Sequence, residues 1–182
     1  DWVIMAPERA KRPHEFLPPK KKRVPTPVAS CPFERFPESG DGAPIFLMPN
    51  DLKRWRVAVI PNKYPALTHT NTCAEPMQRG IYTALSGTGY HDLVISRDHR
   101  RNLVDMPLAH DVEVFEALQR RFQMADEDVC MAYVSAFFNW GQSAGASIYH
   151  PHYQVLSLPI VPPEVAESLH GSEKYYKKHH RC

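Results

Sequence analysis

The residues most able to do chemistry lie together in Asn139-Trp140-Gly141-Gln142-Ser143-Ala144-Gly145-Ala146-Ser147-Ile148-Tyr149-His150-Pro151-His152-Tyr153-Gln154. The run begins as a small-residue loop and ends as a strand. Side chains alternate between the two faces of a strand. His150, His152 and Gln154 therefore share one face, and Pro151, Tyr153 and Val155 share the other. Before them, Gly141, Ala144, Gly145, Ala146 and Ser147 carry so little side chain that their backbone N–H groups are approachable, as in a phosphate cradle. A nucleophilic imidazole beside an anion cradle is the equipment of phosphoryl or nucleotidyl transfer. Imidazole suits the task, because a reference pKa of about 6.5 leaves it largely uncharged at neutral pH. Pro151 fixes its own φ and biases His150 toward extended backbone. A lone strand histidine is usually only a satisfied polar residue. The conjunction of small loop, two histidines and a glutamine on one face sets this run apart.

The remaining composition narrows the classes. A chain of 182 residues with 43% hydrophobic and 23% charged residues is enough for one domain with a core. A formal net charge of +2 implies no general affinity for nucleic acid or membrane. No apolar run approaches the ~20 residues of a membrane span. No secretory leader is visible, and the chain begins at Asp1 rather than a methionine, which leaves room for an upstream piece. Cys31, Cys73, Cys130 and Cys182 are scattered, unlike a secreted disulfide scaffold, so a cytoplasmic protein is expected. Eighteen prolines would stiffen its loops.

Several elements must position the motif. Trp2-Val3-Ile4-Met5 can open a sheet, followed by Arg9 and Arg12, whose planar forks could clamp phosphate oxygens or could simply be solvated. Pro18-Pro19-Lys20-Lys21-Lys22-Arg23-Val24-Pro25 has the look of a nuclear-localisation run, but reads better as a proline-stiffened, solvated linker. Trp55 to Ile60 alternates as a strand stopped by Pro61, and His91 to Ser96 reads as the next. Pro107 through Asp126 is the clearest helix: Leu108, Val112, Phe115, Leu118 and Phe122 recur at three- and four-residue steps and are expected to face the core, with Arg120 and Arg121 solvated. Cys130 to Phe138 should form a strand feeding the motif and Val155 to Leu158 its hairpin partner. Pro162-Pro163 starts a last helix through roughly Lys178. A long helix on an antiparallel sheet is an α+β layer.

Asn139-x-Gly141-x-x-Ala144-Gly145-Ala146-Ser147-x-x-His150-Pro151-His152-x-Gln154 resembles the signature of galactose-1-phosphate uridylyltransferases and their relatives, the transferase branch of the histidine-triad superfamily. Triad hydrolases carry a third histidine where this chain has Gln154. The resemblance implies that residues 1–182 form a single HIT-like α+β nucleotidyltransferase domain, mostly antiparallel sheet with a long amphipathic helix packed on it. It matches the N-terminal half of the family; either the protein is a half-length member or only its first half is represented. The implied activity moves a nucleoside monophosphate, UMP in the leading reading, between a nucleotide-sugar and a hexose-1-phosphate through a covalent nucleotidyl-His152, as in galactose metabolism. Two other readings stay open: an adenylyltransferase or phosphorylase acting on ADP-glucose or a dinucleoside polyphosphate, and an inactive nucleotide-binding half-protein.

The resemblance also assigns roles. Gln154 would donate to a non-bridging phosphate oxygen. Asn139 and the backbone of Gly145, Ala146 and Ser147 would stabilise phosphoryl charge, and Arg9 and Arg12 would hold the phosphates. Asn62 would contact the nucleoside, although locally it serves equally well as a turn-forming Asn before Pro65. Cys31, His99 and His150 would bind a structural zinc. Glu34 stands where the family has a second cysteine; a carboxylate can ligate zinc, but the lost thiolate leaves open a weakened site, another metal or none. The expected partners are nucleotide-sugar and sugar-1-phosphate substrates, with no nucleic acid and no membrane, and the expected assembly is a homodimer.

Overall fold

The structure, a computed structural model, describes residues 2–11, 27–36, 43–141, 144, 146 and 148–181. Seven strands and two long helices follow in order: β1 (Phe46–Met48), β2 (Val57–Pro61), β3 (Met77–Arg79), β4 (Tyr82–Ala84), β5 (Tyr90–Ser96), α1 (Leu108–Asp126), β6 (Tyr133–Phe138), β7 (His152–Leu158) and α2 (Pro163–His179). Five strands form one sheet in the order β1-β2-β5-β7-β6, and β3 and β4 form a separate hairpin. Every pairing in the large sheet is antiparallel. The mostly antiparallel α+β architecture is the one the sequence predicts. The basic run Pro18 to Pro25 lies outside the described residues, as do Arg12, Gly145 and Ser147.

Alternation along the strands gives the sheet two apolar faces. On one, Leu47, Ala58, Ile60, Leu93 and Ile95 pack with Cys31, Phe33, Phe36 and Trp55 from the flanking segments. On the other, Phe46, Val57, Val59, Val94, Tyr153 and Val155 pack against Met106 and against Val114 and Ala117 of α1. Central strands buried on both faces are short apolar runs, as Val57-Ala58-Val59-Ile60 shows. Pro107 precedes the first turn of α1 in extended conformation, and Pro163 occupies the first turn of α2, where its missing N–H costs nothing.

Three expectations are corrected. Trp2 to Met5 forms no strand and is exposed throughout; no edge of the sheet takes it up. Second, the apolar stripe of α1 does not face the core. Leu108 is 77% and Phe115 58% exposed, and Val112 and Phe122 are exposed too, while the buried residues are Val114, Ala117, Arg121 and Ala125. The buried face lies roughly a third of a turn away from the predicted one; Leu118, at the boundary, still packs on the core. Small residues let the helix approach the sheet closely. Third, Arg121 is not solvated. It is 3% exposed, its Nε donates to Asp92 Oδ2 at 2.6 Å, and its guanidinium lies 4.6 Å from the Tyr90 ring centre. Burial pushes the Asp92 carboxyl up, and Arg121 opposes that shift.

One further feature lacked a sequence signal. Cys73 and Cys130, separated by 57 positions, form a disulfide. No described helix is long and apolar enough to cross a membrane. Among the described glycines the tightest backbone approach is at Gly89, at φ +151°, where a Cβ would sit 2.2 Å from the carbonyl oxygen of Ser157.

Two stability measurements follow from this packing. Arg121→Met strands Asp92 without its partner and should cost about 3–5 kcal/mol in denaturant unfolding, whereas the double variant Asp92→Leu/Arg121→Met should recover most of that loss; equal losses in both would refute the ion-pair account. Gly89→Ala should cost about 1–3 kcal/mol, because β5 and β7 must separate to admit the methyl group.

Candidate active site

The motif leads into β7, which lies between the central strand β5 and the edge strand β6. β7 pairs with β5 from Tyr90↔Ser157 to Ile95↔His152 and with β6 from Tyr133↔Leu158 to Phe138↔Tyr153. This register puts His152 and Gln154 on the face of Leu93 and Ile95, and Tyr153 and Val155 on the α1 face. The face assignment made from alternation therefore holds for His152, Tyr153, Gln154 and Val155, whereas Pro151 precedes the strand. His150 lies just before the strand and is fully buried.

Two backbone carbonyls fix the proton positions of the two imidazoles. His152 Nδ1 lies 2.8 Å from the carbonyl oxygen of His150. A carbonyl can only accept, so Nδ1 carries the proton and the neutral ring keeps its lone pair on Nε2, the state a nucleophile requires. His150 does the reverse. Its Nε2 donates to the carbonyl of Ser96 at 2.6 Å, which leaves the lone pair on Nδ1. Burial drives the His150 pKa down to about 4, so this ring is neutral at neutral pH. Phe33 stands edge-on to His150 at 5.5 Å and tilted against His152 at 5.2 Å, holding both planes.

The Nδ1 lone pair of His150 faces Cys31 Sγ at 3.6 Å and Glu34 Oε1 at 3.5 Å. The same Glu34 oxygen is 3.0 Å from His99 Nδ1. One ligand atom each from Cys31, His99 and His150, all three residues buried, lies within 4.8 Å of the others. Burial pushes the Cys31 thiol up, against the backbone hydrogen bonds of Phe33 and Glu34, which lower it. A thiol sulfur, an imidazole lone pair and a carboxylate thus converge in a place with little water. Protons on the thiol and on His99 satisfy these contacts in the absence of metal, and with those protons displaced the N/S/O set fits a small divalent metal ion. Glu34 reaches the group through His99 and His150, as a fourth ligand or as the carboxylate that orients His99.

The other predicted residues divide. Arg9 reaches the site: its Nη1 donates to the carbonyl of Tyr64 at 3.0 Å and lies 3.4 Å from His91 Nδ1. Asn62 makes the turn that local sequence allowed, its Oδ1 accepting from the Tyr64 N–H at 2.9 Å, and its Nδ2 lies 3.0 Å from His91 Nε2. The turn reading of Asn62 is therefore the one the contacts bear out. Asn139 directly follows β6. Ala146 is buried and its N–H bonds the Gly141 carbonyl at 3.1 Å. In this conformation that proton closes the loop rather than pointing toward an anion. Gly141 makes the closure possible with φ +75°.

Sequence reasoning missed His91. It is buried, on the same face as Leu93 and Ile95, and its Nε2 lies 3.0 Å from Gln154 Oε1. Its signal was the two-residue period of β5, which puts position 91 on the site face.

Comparison with known proteins shows the family. The family model for the galactose-1-phosphate uridyl transferase N-terminal domain matches residues 50–162. An ADP-glucose phosphorylase from Arabidopsis thaliana is 35% identical over 184 aligned residues, covering 100% of this chain and 52% of that protein. A galactose-1-phosphate uridylyltransferase from Thermotoga maritima is 24% identical, covering 100% of this chain and 51% of its own length. A crystal structure of an ADP-glucose phosphorylase from Arabidopsis thaliana with bound ADP-glucose superposes with a TM-score of 0.69 at 31% identity, over 100% of this chain and 53% of that one. The chain spans about half the length of the curated relatives it matches. With β2, β5, α1, β6 and β7 all inside the matched region, the chain belongs to the galactose-1-phosphate uridyl transferase family and corresponds to its N-terminal domain.

Proposed function

We propose that this domain transfers a nucleoside monophosphate from a nucleotide-sugar through a covalent nucleotidyl-His152. The observation that carries the reading is the tautomer of His152: Nδ1–H is held by the His150 carbonyl, so the lone pair lies on Nε2. That nitrogen attacks the α-phosphorus. A P–N bond forms, the P–O bond to the sugar-1-phosphate breaks, and the leaving phosphate takes the electron pair. A second phosphate then attacks the same phosphorus and restores the free ring, a ping-pong cycle. Gln154 donates from its amide to a non-bridging oxygen. It carries no proton to exchange, which suits an acceptor whose oxygen is already anionic and does not suit water, which must be deprotonated. Arg9, beside Asn62 and His91, faces the phosphate and nucleoside end.

Adenine is the base we favour, with ADP-glucose as donor and inorganic phosphate as acceptor, because identity to the ADP-glucose phosphorylase is 35% against 24% for the bacterial uridylyltransferase. UDP-glucose with a hexose-1-phosphate acceptor is the second reading, supported by the family to which the chain belongs. Cys31, His99 and His150, with Glu34, would hold zinc. When bound, it would tie the His150 ring to the segment around Cys31 and stiffen the turn that presents the carbonyl to His152.

Two experiments test this. Nucleotide labelled at the α-phosphate should become covalently attached from ADP-glucose, more slowly from UDP-glucose, and not at all in His152→Gly; label retained in that variant would rule out the assigned nucleophile. Elemental analysis should find a single zinc ion per chain, absent in His150→Ala. Glu34→Ala should weaken zinc retention roughly 10- to 100-fold or more, and Glu34→Cys should strengthen it.

A further inference from the structure

We propose that His91 is the positioning residue for Gln154: it fixes which end of the glutamine carboxamide meets the phosphate. The inference rests on the reading above that Gln154 donates to a phosphate oxygen. A carboxamide presents an acceptor at one end and donors at the other, and the two ends are almost the same size. Turned the wrong way, Gln154 would place a carbonyl oxygen against an anionic phosphate. Something must choose, and the backbone of β7 does not.

The choice begins five residues past the end of a different strand, β2. The backbone N–H of Ala66 lies 2.9 Å from His91 Nδ1. An amide N–H can only donate, so Nδ1 must be the acceptor. Arg9 Nη1, also a donor only, approaches the same nitrogen at 3.4 Å. Two donors facing Nδ1 exclude a proton there, and the neutral ring then carries its proton on Nε2. That N–H faces Gln154 Oε1 at 3.0 Å. The oxygen end of Gln154 is thereby directed to β5, which turns its NH2 group the other way. Asn62 Nδ2, a donor, lies 3.0 Å from the same His91 nitrogen and opposes this tautomer; the Ala66 and Arg9 donors at Nδ1 and the Gln154 oxygen at Nε2 outweigh it. His91 and Gln154 are diagonal neighbours, since His91 pairs with Leu156 and Gln154 with Leu93, a spacing that long side chains span. His91 is buried, and its ring has no part in the proposed displacement at phosphorus.

The test is a double-mutant cycle on the full-length protein, read as the single-turnover rate of His152 labelling from α-phosphate-labelled ADP-glucose, with UDP-glucose run in parallel. His91→Phe should slow labelling roughly 10- to 100-fold, the size expected for a lost hydrogen bond to a charged group. The same substitution in a Gln154→Ala background should cost less than about threefold, because no carboxamide remains to orient. Equal losses in both backgrounds, or no loss in the first, overturn the proposal while leaving Gln154 in its role. If Gln154→Ala itself labels at the unaltered rate, the phosphate role of Gln154 fails and the positioning role falls with it. A measurement on the unsubstituted protein guards against misfolded variants: nitrogen-15 NMR should find the His91 proton on Nε2, and a proton on Nδ1 would overturn the assignment.

Discussion

The pairing of β7 with β5 is the constraint on which everything else depends. Its register, Ile95 opposite His152 and Leu93 opposite Gln154, decides which side chains can meet. A slip by one residue would turn His152 and Gln154 toward α1 and bring Tyr153 and Val155 into the site. The slip is resisted from both sides, because Val155 and Tyr153 are part of the core under α1 and Leu93 and Ile95 part of the other. β5 also serves as a ruler. The Ser96 carbonyl at one end takes the His150 proton, and His91 at the other end meets Gln154. One strand thus measures out the whole His-Pro-His-x-Gln run.

Two imidazoles two positions apart are held in opposite tautomers, each by a single carbonyl. His150 spends its Nε2–H on Ser96 and turns a lone pair toward a thiol and a carboxylate. His152 spends its Nδ1–H on His150 and keeps a lone pair on the other nitrogen. Identical side chains therefore present opposite nitrogens, set by backbone geometry alone, as the proposed ligation by one and nucleophilic attack by the other would require. Pro151 between them helps keep the chain extended enough for that carbonyl to reach the second ring. A metal ion on the first histidine and a phosphorus atom at the second would share one short, stiff length of backbone.

How much could be read without coordinates depended on which physical pattern carried the information. The two-residue period of a strand is strict, so the shared face of His152 and Gln154 was legible, and so were the strands around Val57, Leu93 and Val134. The α1 stripe misled because hydrophobicity was the wrong criterion for that face. The sheet takes up Ala117 and Ala125 for their size and Arg121 for its charge, and none of these stands out as apolar bulk. The grouping of Cys31, His99 and His150 came from family resemblance, since residues far apart in sequence declare no proximity of their own. His91 was readable in principle from its place on β5, but its importance comes from Ala66 and Arg9, which reach it across the fold.

The Cys73–Cys130 bond makes a covalent ring of the chain between those residues. That ring contains β3, β4, β5 and α1 and excludes β7. Closing a loop of 57 positions removes about 4 kcal/mol worth of disorder from the unfolded chain in the loop-entropy treatment. Reduction would return that disorder to the unfolded chain and lower the stability of the whole domain, β7 included although it lies outside the ring, so thiol conditions set how firmly this scaffold keeps its shape.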